Sequence, residues 1–377
     1  MTTHLRSASD TAGRLAVAMF VWFTSAAVAI AAAPPRESPG PDAKGLLRSA
    51  YAKTKDAKTL QDYTQILQWC EQARQGDLSP ELAAYAKELT AWAYNRRGET
   101  LAEQAVLLNN AGKRSEGTRA DAGALADFEK AIELNPKYWK ALHNRGVSYA
   151  VAGKADAALA DFSRAIELKP NYPNTWFNRG GIYYEQGKFT EAAADYGEAV
   201  RLKPDDREAI VHRGHAYFRL KRYSAALADY TRAVELAPDN AELLANRGDA
   251  HASLGQWSEA AADFRRAVTL DAASAHSLQS AAWLMATCPD ASYRNAELAL
   301  QTAEKAVQVG GRKEFQYLDT LAAAHANAGQ FEKAQEAVAE ALKVAPPSQR
   351  QALEGRQELY QKKQPYRQRL VTPSTGT

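Results

Sequence analysis

The sequence has little cysteine and almost no net charge. Cys70 and Cys288 are the two cysteines among 377 residues, so a scaffold held together by several disulfides is excluded. Lysine and arginine number 47 against 44 aspartates and glutamates. A net charge of +3 gives no strong field that would favour nucleic acid or an acidic membrane as a partner. We therefore expect a protein that does not bind nucleic acid.

Sequence signatures of catalysis are also missing. There is no Cys-x-x-Cys pair, no His-Glu-x-x-His, no Gly-x-Ser-x-Gly and no glycine-rich loop that would cradle a phosphate. These absences predict a protein that is not an enzyme and that uses no cofactor and no metal. Four histidines keep a metal-dependent enzyme open as a remote alternative, because they fall in successive predicted helices: His143, His212, His215 and His251.

The N-terminus, residues 1–33, has the features of a secretory signal. Arg6 and Arg14 precede an uncharged stretch that begins at Leu15, and Ala31-Ala32-Ala33 fits the small-residue rule for cleavage. Prolines then make 34–41 an extended linker. The pattern predicts an exported protein, periplasmic or secreted. The alternative is an uncleaved single-pass anchor in the inner membrane, because the uncharged stretch is just long enough to span a bilayer.

A block that repeats every 34 residues dominates the rest of the chain. Asn144-Arg145-Gly146 returns as 178–180 and 246–248, with His212-Arg213-Gly214 between them. Prolines at 136, 170, 204 and 238 keep the same step. So does a third series, of aspartates: Asp127, Asp161, Asp195, Asp229 and Asp263.

The residues inside one repeat point to a family. The pattern is an aromatic, a glycine, a tyrosine, then alanine, aromatic, alanine and proline: Trp176, Gly180, Tyr183, Ala192, Tyr196, Ala199 and Pro204. It resembles the tetratricopeptide repeat, and 34 residues is the period of that family. The resemblance implies an all-α fold, a right-handed superhelical solenoid of helix-turn-helix repeats.

This register divides the chain into repeats. An N-terminal helical pair and a first repeat with an insertion at about 109–121, expected to be an exposed loop, precede four regular repeats. A divergent repeat, a further repeat, a polar capping helix and a frayed tail follow. The predicted bounds are 42–90, 91–138, 139–172, 173–206, 207–240, 241–274, 275–314, 315–348, 349–364 and 365–377.

One position departs from the family pattern. The residue before the repeat glycine is commonly leucine in this family, but here it is arginine. We expect each arginine to bond an aspartate of the same or the preceding hairpin, in a structural ladder that sets the packing between helices. The arginines are Arg145, Arg179, Arg213 and Arg247, and the aspartates are those of the series above.

The resemblance also implies where a partner would bind. In this family the first helices of the repeats line a groove, and carrying its exposed positions onto this chain names candidate residues. Three are aromatic, and they either anchor a peptide or pack against neighbouring repeats. The groove residues are Lys140, His143, Asn174, Phe177, Tyr184, Glu208, His215, Phe218, Arg219 and Asp249.

The predicted function is therefore a non-enzymatic protein-protein interaction scaffold. It would hold a peptide or protein segment in the groove, in an envelope complex of exported proteins. The alternative is a chaperone-like assembly factor, which would bind many partly folded exported chains weakly. A membrane is expected as a partner only if the N-terminal segment stays uncleaved.

Overall fold

The computed structural model describes residues 41–368, and over that range the chain is all α-helix with no strand. The predicted fold class, an all-α helical repeat, is confirmed. A short 3-10 helix, Ala291–Tyr293, accompanies the α-helices. These are α1 Pro41–Lys53, α2 Leu60–Arg74, α3 Pro80–Asn110, α4 Arg114–Leu134, α5 Trp139–Val151, α6 Ala155–Leu168, α7 Pro173–Glu185, α8 Phe189–Leu202, α9 Arg207–Arg219, α10 Tyr223–Leu236, α11 Ala241–Ser253, α12 Trp257–Leu270, α13 Ala275–Thr287, α14 Ala296–Gly310, α15 Phe315–Asn327, α16 Phe331–Val344 and α17 Pro347–Gln361.

The described residues fall into two compact units, 41–186 and 187–368. In the first unit, α1 packs on α2, α3 on α4 and α5 on α6, and α3 and α5 also contact each other. In the second unit the pairs are α9 with α10, α11 with α12, α13 with α14 and α15 with α16. The odd-numbered helices α11, α13 and α15 are again neighbours. Each unit therefore has a face formed by the first helices of successive hairpins, called its first-helix face below.

The N-terminal helices begin where their capping residues predict. Thr59 and Asp62 form a reciprocal capping box, with Asp62 N–H donating to Thr59 Oγ1 at 3.2 Å. Ser79 caps α3, and Pro80 occupies the first position of that helix. Cys70 is fully buried and belongs to the same core cluster as Tyr63. Both cysteines are free and buried.

In three of the regular hairpins, those of Gly146, Gly214 and Gly248, an aromatic ring lies against the repeat glycine. A Cβ added at Gly146 would stand 2.8 Å from Phe162 Cε1, and one at Gly248 would stand 2.5 Å from Phe264 Cε1. Such distances are shorter than real carbon contacts, so only glycine fits between the two helices. The 34-residue spacing of these glycines therefore reflects a packing requirement that these hairpins share.

The insertion in the first repeat is helical, so the prediction of an exposed loop is wrong. It lengthens α3 to 31 residues and α4 to 21, and leaves only a short turn in which Gly112 has a φ of +76°. Alanine, arginine and glutamate in this stretch are good helix formers. Small buried residues, among them Ala105 and Gly117, let the two long helices pack closely.

The C-terminus also differs from expectation. The sequence predicts that residues 365–377 fray, but Tyr366, Arg367 and Gln368 pack against α13. The rings of Tyr366 and Trp283 lie 5.8 Å apart, and Gln368 N–H donates to the carbonyl of Thr287 at 2.8 Å. Because α13 ends at Thr287, its last carbonyls have no partner inside the helix, and this segment supplies donors for them.

Two of the sequence predictions concern residues that are not described. The signal segment, 1–33, and the linker up to residue 40 lie outside the described range. Among residues 41–368, none of the helices combines the length and the apolar character that a membrane crossing requires.

Candidate functional site

The arginines before the repeat glycines hold each hairpin together. Arg145 Nε donates to Asp161 Oδ2 at 2.8 Å while its Nη2 donates to Oδ1, a bidentate pair between α5 and α6. Arg213 pairs with Asp229 in the same way. Such pairs join Arg97 to Asp127, Arg145 to Asp161, Arg213 to Asp229, and Arg247 to Asp263. Each pair lies within one hairpin, so these side chains build the scaffold.

Arg179, another member of the predicted ladder, also contacts the preceding hairpin. Arg179 Nη1 donates to the hydroxyl of Ser163 at 3.0 Å, a contact with the second helix of the preceding hairpin. Asp195 is buried on α8, with 4% of its surface exposed. The four pairs above each join the two helices of one hairpin. The contact of Arg179 with Ser163 instead reaches the preceding hairpin.

His143 is not a partner-facing residue, so that part of the groove prediction is wrong. Its side chain is buried, with Nδ1 at 2.9 Å from the hydroxyl of Thr175 on α7. The ring of Tyr172 packs edge-on against it at 5.3 Å. Burial lowers the pKa of His143 to about 4, so the ring is neutral near pH 7. The next repeat covers the position that the family pattern leaves open.

The other predicted residues of the first unit are partly accessible. Lys140 lies over the ring of Trp139 at 5.6 Å, and Asn174 Nδ2 donates to the hydroxyl of Tyr172 at 3.4 Å. Phe177 and Tyr184 on α7 are half-buried. These four side chains therefore keep part of their surface open, as a binding role requires.

In the second unit most of the predicted groove residues are engaged with other side chains. The ring of Phe218 packs edge-on against Tyr223 at 5.2 Å, and the guanidinium of Arg219 stacks on Phe189 at 4.2 Å. His276 Nε2 lies 3.0 Å from Asp249 Oδ2. The alternative that the aromatics pack against their neighbours therefore holds for Phe218.

Two more of these residues have shifted pKa values. Burial, with His212 and His276 nearby, lowers the pKa of His215 to about 3, and its ring packs on Tyr230. Glu208 is half-buried, and this burial raises the pKa of its carboxyl group. Among the described residues, no cluster of three or more histidine, cysteine or acidic side chains could hold a metal ion.

Sequence reasoning missed a polar centre on the first-helix face of the first unit. The carboxylate of Glu99 is 7% exposed and accepts hydrogen bonds from Asn95 Nδ2 at 2.9 Å and Asn144 Nδ2 at 3.0 Å. Arg96 Nη1 donates to its other oxygen at 2.5 Å. Burial and the charge of Glu99 raise the pKa of Tyr138, whose buried hydroxyl has no hydrogen-bond partner within the described residues.

The asparagine of the repeated tripeptide is the second feature that was missed. Asn178 on α7 is 4% exposed, and Asn246 on α11 is 6% exposed. Nδ2 of Asn246 is buried and donates to no atom of the described chain. The signal was present in the sequence, since asparagine recurs at 144, 178 and 246.

Comparison with known proteins agrees with the helical architecture. Family models described as TPR repeat match 149–187, 180–221 and 214–255, and models described as tetratricopeptide repeat match 128–160 and 241–274. No curated protein matches the chain.

Several solved structures are similar to parts of the chain. A tetratricopeptide repeat protein from Parabacteroides merdae ATCC 43184 is 17% identical over 70% of this chain and 98% of its own, with a TM-score of 0.50. YrrB, a TPR protein with an unusual peptide-binding site, is 25% identical over 48% of this chain and 91% of its own, with a TM-score of 0.43. Yeast Tom70 is 16% identical over 88% of this chain and 67% of its own, with a TM-score of 0.43.

These matches give the repeats a family, and the fold of that family is typically a non-catalytic scaffold for protein interaction. Repeats matched over 128–274 and stacked helical hairpins in both units agree. Residues 128–274 of the chain are tetratricopeptide repeats, with the architecture of a protein-interaction scaffold.

Proposed function

We propose that this chain is a non-catalytic scaffold that holds an extended peptide or protein segment on the first-helix faces of its repeats. The observation that carries the proposal is Asn246, a buried side chain on α11 whose amide nitrogen has no partner within the described residues. Leaving a buried donor unpaired costs about 1–3 kcal/mol. A bound segment that accepts this hydrogen bond would recover that cost.

Amide side chains suit a peptide main chain as the ligand. An asparagine offers both a donor and an acceptor, the same pair that a peptide group presents. Such a contact is insensitive to the partner's side chains, so the neighbouring residues would supply the selectivity. In the first unit these neighbours include Lys140, Asn174, Phe177 and Tyr184, which stay partly open.

The Glu99 centre gives that unit a defined polar anchor. Two amides and a guanidinium fix the carboxylate, and the hydroxyl of Tyr138 is buried near it. Because these groups are already held in position, a ligand that bonds to the Tyr138 hydroxyl would pay little for ordering them. We propose this centre as the point at which the first unit fixes the register of its partner.

The test is a binding measurement with a partner recovered on the full chain. Asn246→Ala is expected to weaken binding about 10-fold, because one hydrogen bond to a buried amide is lost. Gln301→Ala is the matched control, since Gln301 is an exposed amide on the second helix α14. Isothermal titration at one salt concentration gives both dissociation constants.

Equal affinity of the Asn246→Ala variant and the parent chain would remove the main-chain role of this asparagine. Weak recovery of many unrelated unfolded chains, with none preferred, would favour the chaperone-like alternative. Loss of affinity in both variants would show a general effect of substitution and would also contradict the proposal.

We also propose that the scaffold is exported and acts in an envelope complex. The support is the arrangement of Arg6, Arg14 and the uncharged, alanine-rich stretch that ends at residue 33. The expected result of N-terminal sequencing of the mature protein is a start close to Pro34. A mature chain that starts at Met1 would contradict cleavage.

A further inference from the structure

A short C-terminal segment, Pro365 to Gln368, lies on the first-helix face of the second unit. It follows α17, makes no regular secondary structure, and reaches the end of α13. This face belongs to α13 and α15, the first helices of the last two hairpins. The chain therefore places an extended stretch of its own on the kind of surface that the proposed function assigns to a partner.

An aromatic contact anchors the segment. The ring of Tyr366 lies 5.8 Å from that of Trp283, and the guanidinium of Arg356 is 5.4 Å from the Tyr366 ring and 5.6 Å from the Trp283 ring. Arg356 is itself fixed, because its Nε donates to Asp319 Oδ1 at 2.7 Å. Trp283 and Arg356 thus form a rigid shelf with an aromatic and a cationic surface, on which one aromatic ring is seated.

Donors of the segment meet the open end of α13. Arg367 Nη1 donates to the carbonyl of Ala286 at 2.9 Å, and Gln368 N–H donates to the carbonyl of Thr287 at 2.8 Å. A helix C-terminus carries partial negative charge and unpaired carbonyls, so it favours a cationic donor. The recognised chemistry is an aromatic residue followed directly by an arginine and then by a main-chain donor.

The segment occupies this site, but buried polar atoms there keep no hydrogen-bond partner within the described residues. Gln368 is 6% exposed, yet its Oε1 has no partner within the described residues. The same is true of Tyr360 Oη and Asp319 Oδ2, which are buried on the helices beneath. Ordering the four residues costs conformational entropy that opposes their few contacts. A segment held by so few contacts can exchange with another of the same chemistry.

We propose that Trp283, Arg356 and the last carbonyls of α13 form a peptide-binding site that Tyr366 and Arg367 occupy in cis. Its partner is an extended protein segment in which an aromatic residue is followed directly by arginine. Displacing the chain's own segment opens the site, so the C-terminus regulates access. This site uses none of the asparagines of the proposed function and is a separate place on the molecule.

The probe is a fluorescent peptide with the sequence of residues 364–371, Gln-Pro-Tyr-Arg-Gln-Arg-Leu-Val. It is titrated against the full chain and against the full chain carrying Tyr366→Ala and Arg367→Ala. The tethered segment has an effective concentration of the order of mM, so the parent chain resists the peptide. We expect the double variant to bind at least about 10-fold more tightly, as measured by fluorescence anisotropy.

Matched controls isolate the contacts. The same peptide with alanine at its tyrosine and arginine is expected to lose binding to the double variant, and this arm needs no further change in the protein. Arg312→Ala removes an exposed arginine of the same unit and is expected to behave as the parent chain. Circular dichroism checks that every variant keeps its helical content.

A folded double variant that binds the peptide no better than the parent chain would overturn the proposal. Equal binding of the alanine-substituted peptide would overturn it as well. The Asn246→Ala test of the proposed function uses a different variant and a partner recovered on the full chain, so the two results are independent. Failure at this site therefore leaves the asparagine-based function standing, and failure at Asn246 leaves this site standing.

Discussion

Replacing Arg356 with alanine is expected to lower the free energy of unfolding by about 3–5 kcal/mol, because it strands a buried charge. Arg356 is 5% exposed and Asp319 is 1% exposed. Burial raises the pKa of Asp319, and the guanidinium of Arg356 opposes that shift. Without the arginine, the carboxyl group must either stay ionised in an apolar setting or take up a proton on folding. Both outcomes cost stability.

The measurement is urea denaturation followed by circular dichroism, with hydrogen exchange to localise the effect to α15 and α17. Arg312→Ala is the matched control, because Arg312 pairs with Glu340 on the surface, where such a pair contributes about 0–1 kcal/mol. Equal losses for Arg356→Ala and Arg312→Ala would contradict the role given to burial. Replacing both partners, as Arg356→Met with Asp319→Leu, should recover most of the loss, since neither charge is then stranded.

The same arginine links stability to the C-terminal site. Its guanidinium contacts Asp319 on one side and the rings of Trp283 and Tyr366 on the other. Asp319 therefore acts on the bound segment through Arg356, by holding the shelf on which the Tyr366 ring lies. For that reason the substitutions that test the cis segment are placed in the segment and in the peptide, and Arg356 is left unchanged.

Much of the fold could be predicted from the sequence because the residues that determine packing recur in successive repeats. Helices begin at Trp139, Pro173, Arg207 and Ala241, which are the starts of successive 34-residue periods. A glycine that must face a ring, and an arginine that meets an aspartate in the same hairpin, recur at fixed spacing. Such contacts are local in sequence, so a pattern along the chain is enough to reveal them.

The failures have the opposite origin, because they depend on contacts between repeats or on chain ends. His143 is expected from the sequence to face a partner, but Thr175 of the next repeat and Tyr172, just before that repeat, cover it. The sequence of one repeat does not show which side chains of the adjacent repeat will contact it. The insertion was read as a loop from its polar composition, although buried small residues such as Ala105 allow two long helices to pack.

The residues that we propose for partner binding are the hardest to predict from the sequence, for a further reason. Asn246 belongs to the same tripeptide as Arg247 and Gly248, so its recurrence looked like architecture. Only its buried nitrogen, which has no partner within the described residues, distinguishes Asn246 from an asparagine that serves packing alone. The segment at Tyr366 lay beyond the last repeat, where periodicity says nothing. What it contacts was therefore visible only in the folded chain.

Replacing Gly248 with alanine is expected to destabilise the second unit by about 1–3 kcal/mol through overpacking. The added methyl group would stand 2.5 Å from Phe264 Cε1, and that ring is 2% exposed, so it has little room to move. Alanine is intrinsically better than glycine inside a helix by about 0.5–1 kcal/mol. The prediction is that the clash outweighs this gain, and thermal denaturation measures the balance.

The substitution Gly355→Ala, in the same unit, is expected to have the opposite effect on stability. It lies inside α17, and a Cβ built on it meets no atom within 4 Å. Gly355→Ala therefore keeps only the gain in helix propensity and should stabilise the unit by about 0.5–1 kcal/mol. If both substitutions stabilised, the ring of Phe264 would have to yield without cost, and the repeat glycine would not be a packing requirement. Opposite signs from one chemical change would show that the contact across the hairpin, and not the helix itself, dictates glycine at this position.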